Sequence, residues 1–179
     1  MVEASTSALD TPDTFSPEGL HEYLVRAHRL ENQLRWKFLQ ALLALDEGLL
    51  FRSLGCATLR EYTERFFGWE RTRTYEALRV ARTLGDLPRT REAFISGLAY
   101  SRVEEITRIA SRETEEEWIA FAEKATLRGL ELEVSDAKRT NRKRPRPDPY
   151  SLPAERRRLP FDFTPGHVAP VSGGDRRPV

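Results

Sequence analysis

Cysteine is nearly absent: Cys56 stands alone in 179 residues, so no internal disulfide can form. No other cysteine and no nearby histidine surround it at metal-ligand spacing, which excludes a zinc site and leaves a packing or loop residue. Histidine is scarce too, with only His21, His28 and His167, and no two of them share ligand spacing. No apolar run reaches the roughly 18 residues that would span a bilayer, so no membrane partner is expected. The opening "MVEASTSALDTPDTF" lacks the basic and apolar regions of a secretory signal, which sets the expectation of a cytoplasmic protein. Glycine-rich phosphate loops and G-x-S-x-G nucleophile elbows are missing, and "SGGD" near the end has no strand before it. The acids of "RETEEEW" (Glu113, Glu115, Glu116 and Glu117) read as helix-start residues that favour the helix dipole. No cofactor, metal or small-molecule substrate is therefore expected.

Alternating β-branched and polar residues are lacking as well, which excludes a sheet. What remains is helix after helix, and the predicted fold class is all-α. Ser16, Pro17 and Glu18 form a helix start, followed by Leu20, Tyr23, Leu24, Ala27, Leu30, Leu34, Phe38, Leu42 and Leu45 at helical spacing. Capping boxes are expected at Thr58 with Glu61, Ser101 with Glu104, and Thr114 with Glu117. Gly68 and Gly97 read as helix stops, Gly55 as a turn before the second helix, and Pro88 as a helix start. A last helix is expected over about 127–138, with Leu127, Leu130 and Val134 facing inward. Trp36, Trp69 and Trp118 fall at helical positions and read as core or interface rather than base-stacking platforms.

The net charge of +1 conceals an asymmetry: between residues 138 and 158 nine Lys and Arg stand against Asp148 and Glu155. Eight of the eleven prolines lie beyond residue 140. This divides the chain into a flexible N-terminus (1–15), a helical domain (16–140) and a basic, proline-rich flexible tail (141–179).

Within the domain, residues 58–84, "TLREYTERFFGWERTRTYEALRVARTL", spell a helix, a short turn at Gly68 and a second helix. Thr74, Ala77, Leu78, Ala81 and Leu84 of that second helix share a core-facing stripe. Arg71, Thr72, Arg73, Tyr75, Arg79 and Arg82 lie outside the stripe. This is the pattern of a helix-turn-helix, whose second helix enters the major groove. Two positions depart from it: Glu64 stands where a small residue is usual, and Thr74 where a larger apolar residue would pack.

The segments "LGCATLREY", "VARTLGDLP", "FISGLAYSRVEEITRIA", "ETEEEWIAFA" and "LRGLELEV" occur in that order over about 45–135. In them the chain resembles the N-terminal helical domain that precedes HNH endonuclease modules in bacterial proteins, and is also similar to the helix-turn-helix domain of ParB and KorB-type partition proteins. The resemblance implies a bacterial, DNA-associated protein. The HNH module itself, with its histidine base and metal-holding His, Asn or Asp groups, has no counterpart here. In the family the segment resembling "RRRLPFDFTPGHVAPV" would lead on toward the nuclease, whereas here "SGGDRRPV" follows. A truncated or naturally short relative, or a fragment, is expected, and not an enzyme.

Two functions follow. The first is a DNA-binding module, with Arg71, Thr72, Arg73, Tyr75, Arg79 and Arg82 at the groove and Arg142, Lys143, Arg144 and Arg146 gripping phosphates. The alternative is a protein-interaction scaffold or homodimer formed through the long first helix.

Overall fold

The Ser16 hydroxyl accepts the Gly19 N–H at 3.0 Å and so starts α1 (Pro17–Glu47), with Pro17 supplying the preset φ of a first helical turn. A computed structural model describes residues 16–148; the stretches at 1–15 and 149–179, with His167 and "LPFDF", lie outside the described residues. Six further helices follow: α2 (Leu59–Phe67), α3 (Arg71–Asp86), α4 (Pro88–Ser96), α5 (Tyr100–Ile106), α6 (Glu115–Lys124) and α7 (Leu127–Arg139). A 3-10 turn, Leu50–Leu54, joins α1 to α2, and no strand occurs among the described residues. The fold is all-α.

The helices enclose two apolar clusters. Leu39 and Leu42 of α1 meet Leu78, Val80, Ala81 and Leu84 of α3, Phe94 of α4 and Val103 of α5 in the first. In the second, Ile106 of α5 packs with Trp118, Phe121 and Ala122 of α6 and with Leu130, Val134 and Ala137 of α7. Leu98, half-buried between α4 and α5, touches both. Cys56 is buried in the first cluster, the packing role expected of it.

Polar side chains from distant helices satisfy the helix ends. Buried Asn32 of α1 donates to the carbonyls of Phe94 at 2.8 Å and Leu98 at 3.1 Å, closing the end of α4 where Gly97 turns the chain at φ 126°. At the other end of α4, Leu87 has no capping side chain, and buried Glu115 of α6 supplies one. Its carboxylate accepts the Thr90 N–H at 2.9 Å and the Thr90 hydroxyl at 3.1 Å. Glu115 thus serves the start of α4 as an acid brought from elsewhere in the chain.

Three local expectations need correction. Of the three expected capping boxes only that of Thr58 has its side-chain cap, accepting from Glu61 N–H at 3.1 Å, while the Glu61 carboxylate reaches one residue further back, to Ala57 N–H at 2.8 Å. Ser101 is not a cap, because α5 begins at Tyr100 behind Ala99; the Thr114 hydroxyl turns back to accept Ser111 N–H at 3.0 Å. Leu127 is partly exposed at the first position of α7, and Thr126 caps that helix by accepting from Gly129 N–H at 3.1 Å.

The fourth correction concerns the start of the tail. Asn141 takes the left-handed conformation (φ 54°) just after α7, and Arg142 N–H returns to Ala137 O at 2.8 Å. This folds residues 142–146 back over α6 and α7. Arg142 binds fully buried Glu133 at 2.8 Å and Asp136 at 3.2 Å. Arg146 gives Glu133 its backbone N–H at 2.9 Å, its Nε at 2.6 Å and its Nη2. The Trp118 indole donates to Lys143 O at 2.9 Å. The basic stretch is docked as far as these contacts reach, so the boundary drawn at residue 140 falls too early.

Candidate nucleic-acid interface

Gly68 closes α2 at φ 63°, where a side chain would be strained, and its N–H returns to Glu64 O at 3.0 Å. Three residues later α3 begins. The two helices cross at a pair of buried hydroxyls, Thr63 and Thr74, whose oxygens lie 2.6 Å apart. Whichever hydroxyl gives its proton to the other, the other hydroxyl faces a carbonyl of its own helix: Arg60 O at 3.1 Å for Thr63, Glu70 O at 3.3 Å for Thr74. The small residue sought at position 64 is thus one place earlier, and Thr74 is its polar partner. Phe38 of α1 anchors the pair of helices through Phe67 and Trp69, with ring centroids 5.3 and 5.4 Å away.

On α3, Thr74, Ala77, Leu78, Ala81 and Leu84 are buried as the stripe predicts, and Val80 joins them. The residues off that stripe divide into four settings. Arg71, Thr72 and Tyr75 are exposed over the first turns, with the Arg71 guanidinium 5.6 Å from the Tyr75 ring. At about 100° per residue Arg73 lies on another flank, and it stacks over Trp69 at 4.6 Å on the side of α1. Arg79 is half-buried and donates to the Thr107 hydroxyl at 3.1 Å and to Glu104 O at 3.3 Å. Arg82 binds Asp46 at the end of α1 at 2.6 Å.

The expected groove set therefore splits. Arg71, Thr72 and Tyr75 share an open surface, Arg73 borders it, Arg79 ties α3 to α5, and Arg82 is an ion-pair partner. The phosphate-gripping set splits as well: Arg142 and Arg146 are ion-paired with Glu133, Arg144 pairs with Glu117 at 3.4 Å, and Lys143 is exposed with no carboxylate in contact among the described residues.

Two depressions flank α3. One, of about 410 Å³, lies between α1, α3 and α5 over an apolar floor that includes Leu34, Phe38 and Trp69. Burial, and then the neighbouring Glu76 carboxylate, raises the Glu104 carboxyl above its ordinary range. Tyr100 beside it is pushed up to about 12, by burial first and Glu104 second. The other, of about 450 Å³, is lined by Thr72, Tyr75, Glu76, Arg79, Thr107, Arg108 and Lys138. It is contiguous with the exposed residues of α3. Arg108, Thr107 and Lys138 were missed by sequence reasoning because this surface joins α3 to the end of α5 and to α7, and no local pattern carries it.

His28 serves structure: its Nε2 lies 3.2 Å from Gly97 O. Among the described residues no group of three His, Cys, Asp or Glu side chains is placed to hold a metal ion, and no helix is long and apolar enough to cross a membrane. Comparison with known proteins found no matching family model, curated relative or solved structure.

Proposed function

We propose that this protein binds duplex DNA without cutting it, laying the first two turns of α3 in the major groove. One observation carries the reading. Several arginines of the body are paired with carboxylates, as Arg26 is with Glu22, Arg60 with Glu64, Arg89 with Glu116 and Arg128 with Glu131. Among the described residues Arg71, like Arg65 and Arg112, has no carboxylate in contact, and it shares its exposed face with Thr72 and Tyr75, on a helix set by a glycine turn against a preceding one. An unpaired guanidinium keeps its planar fork free for guanine O6 and N7, and hydroxyls can address phosphates or bases. The ordered segments that resemble HNH-associated helical domains point the same way.

The test is a competition assay at fixed salt after selection of a preferred duplex. Arg71→Ala should cost roughly 1–3 kcal/mol on that duplex and relax the preference, because a base-edge contact carries sequence information. Arg73→Ala, on the flank, should change affinity less than Arg71→Ala. Equal binding of wild type and Arg71→Ala to every duplex would refute groove reading by α3.

A second reading, self-association through α1, is favoured by a different observation. Leu20, Leu24 and Leu34 are 36, 64 and 56% exposed, yet lie on the same side of the helix as buried Leu42. No described element covers them.

A further inference from the structure

We propose that the depression between α3, α5 and α7 seats a phosphate group, with Arg79, Arg108 and Lys138 as its cationic wall and the hydroxyls of Thr72 and Tyr75 as added donors. The proposal rests on the DNA reading for the source of that phosphate, a backbone diester beside the groove face of α3, but its geometry is separate from base reading.

Three cations from three segments converge on one concavity whose lining holds a single carboxylate, Glu76. Drawing like charges together is unfavourable unless an anion answers them. Arg79 and Lys138 are set differently from the ion-paired arginines elsewhere, while Arg108 is paired with Glu105, which lies outside the lining. Arg79 is clamped from behind by Thr107 Oγ1 and Glu104 O, which occupy two of its five N–H groups and leave three. The Thr107 hydroxyl is itself committed to Glu104 O at 2.9 Å, so it positions Arg79 and is not a ligand donor. Arg108 is held by Glu105 through Nη1 at 2.8 Å, with its other donors unassigned. Lys138 is exposed, and among the described residues no carboxylate lies within ion-pair distance of it. Its ammonium is lowered from its ordinary value by burial first and then by Arg108 and Arg79, with Glu105 opposing them. Two held guanidiniums and an exposed ammonium suit the several oxygens of a phosphate.

The experiment uses the full chain and the variants Arg108→Gln and Lys138→Gln, both exposed positions whose folding is checked by helical circular dichroism. Duplex affinity is measured against salt, and inorganic pyrophosphate is titrated against side-chain NMR signals. Each variant should weaken all duplexes alike, reduce the salt slope by about one, and lose the pyrophosphate response. A changed slope without a pyrophosphate response assigns the seat to a backbone diester; a lost pyrophosphate response with an unchanged slope assigns it to a free phosphate. If wild type ignores duplex DNA but responds to pyrophosphate through these residues, the seat stands and the DNA reading falls. Variants that match wild type in both measurements, or a wild type that responds to neither ligand, overturn the seat.

Discussion

Buried polar residues define much of this molecule, and Glu133 is the sharpest case. Its carboxylate is fully buried, so burial works to raise its pKa, but hydrogen bonds from the Arg146 side chain and backbone and from Arg142 prevail and hold it below the ordinary carboxylate range. A depressed folded-state pKa contributes stability that is present above the unfolded-state value and lost as pH falls through the folded one. The docked stretch 142–146 should therefore hold at neutral pH and release in acid, below the usual glutamate range. The Trp118 indole N–H reports this directly, because its partner is the Lys143 carbonyl. Its hydrogen-exchange protection should persist at neutral pH, fall as Glu133 is protonated, and be lost at neutral pH in Glu133→Gln. Protection that survives both treatments would show that Glu133 does not hold the segment.

Among the elements, helices with a strong apolar period were legible in the sequence, and their ends were legible only where the cap is local. Ser16, Thr58, Gly68 and Pro88 act within a few residues of themselves, so sequence order exposes them. Asn32 and Glu115 cap α4 from 62 and 25 residues away, and nothing in the local pattern distinguishes them from ordinary exposed polar positions. The period of α1 was equally plain, but periodicity cannot say where burial stops. α1 is about 46 Å long, and its apolar stripe is covered at Leu42 yet open at Leu20, Leu24 and Leu34. If two copies pair along that stripe, the molecular mass by analytical ultracentrifugation should rise toward twice the monomer with concentration, and Leu24→Glu should return it to the monomer. Leu24 is exposed, so the variant should melt as wild type does at low concentration. A wild type that stays monomeric at millimolar concentration would exclude this interface.

At the scale of the whole molecule, charge was the feature sequence reading placed least well. Composition located the basic residues around 138–146 but could not show that Arg142 and Arg146 face inward to a buried acid, while Lys138 turns toward Arg79 and Arg108. That arrangement depends on the turn at Asn141, and on Glu133, which is one of two acids in "LRGLELEV" with no local mark of burial. The docked stretch therefore belongs with the second apolar cluster, where it covers Trp118 and neutralises Glu133, and two truncations separate this role from that of charge. A chain ended after Asp148 retains every contact described here and should melt close to the full chain. A chain ended after Thr140 removes Arg142 and Arg146 together and leaves Glu133 buried without its partners, which should cost about 3–5 kcal/mol, the usual penalty for breaking a buried ion pair. The loss should show as a lower Tm in circular dichroism, with the α6 and α7 amides exchanging before those of α1 and α3, since Leu98 is the side chain shared by the two clusters. Adding sodium chloride should not close the gap between the two truncations, because a buried pair is little screened. If both truncations melt together, residues 141–148 are peripheral to the domain and the boundary returns to residue 140.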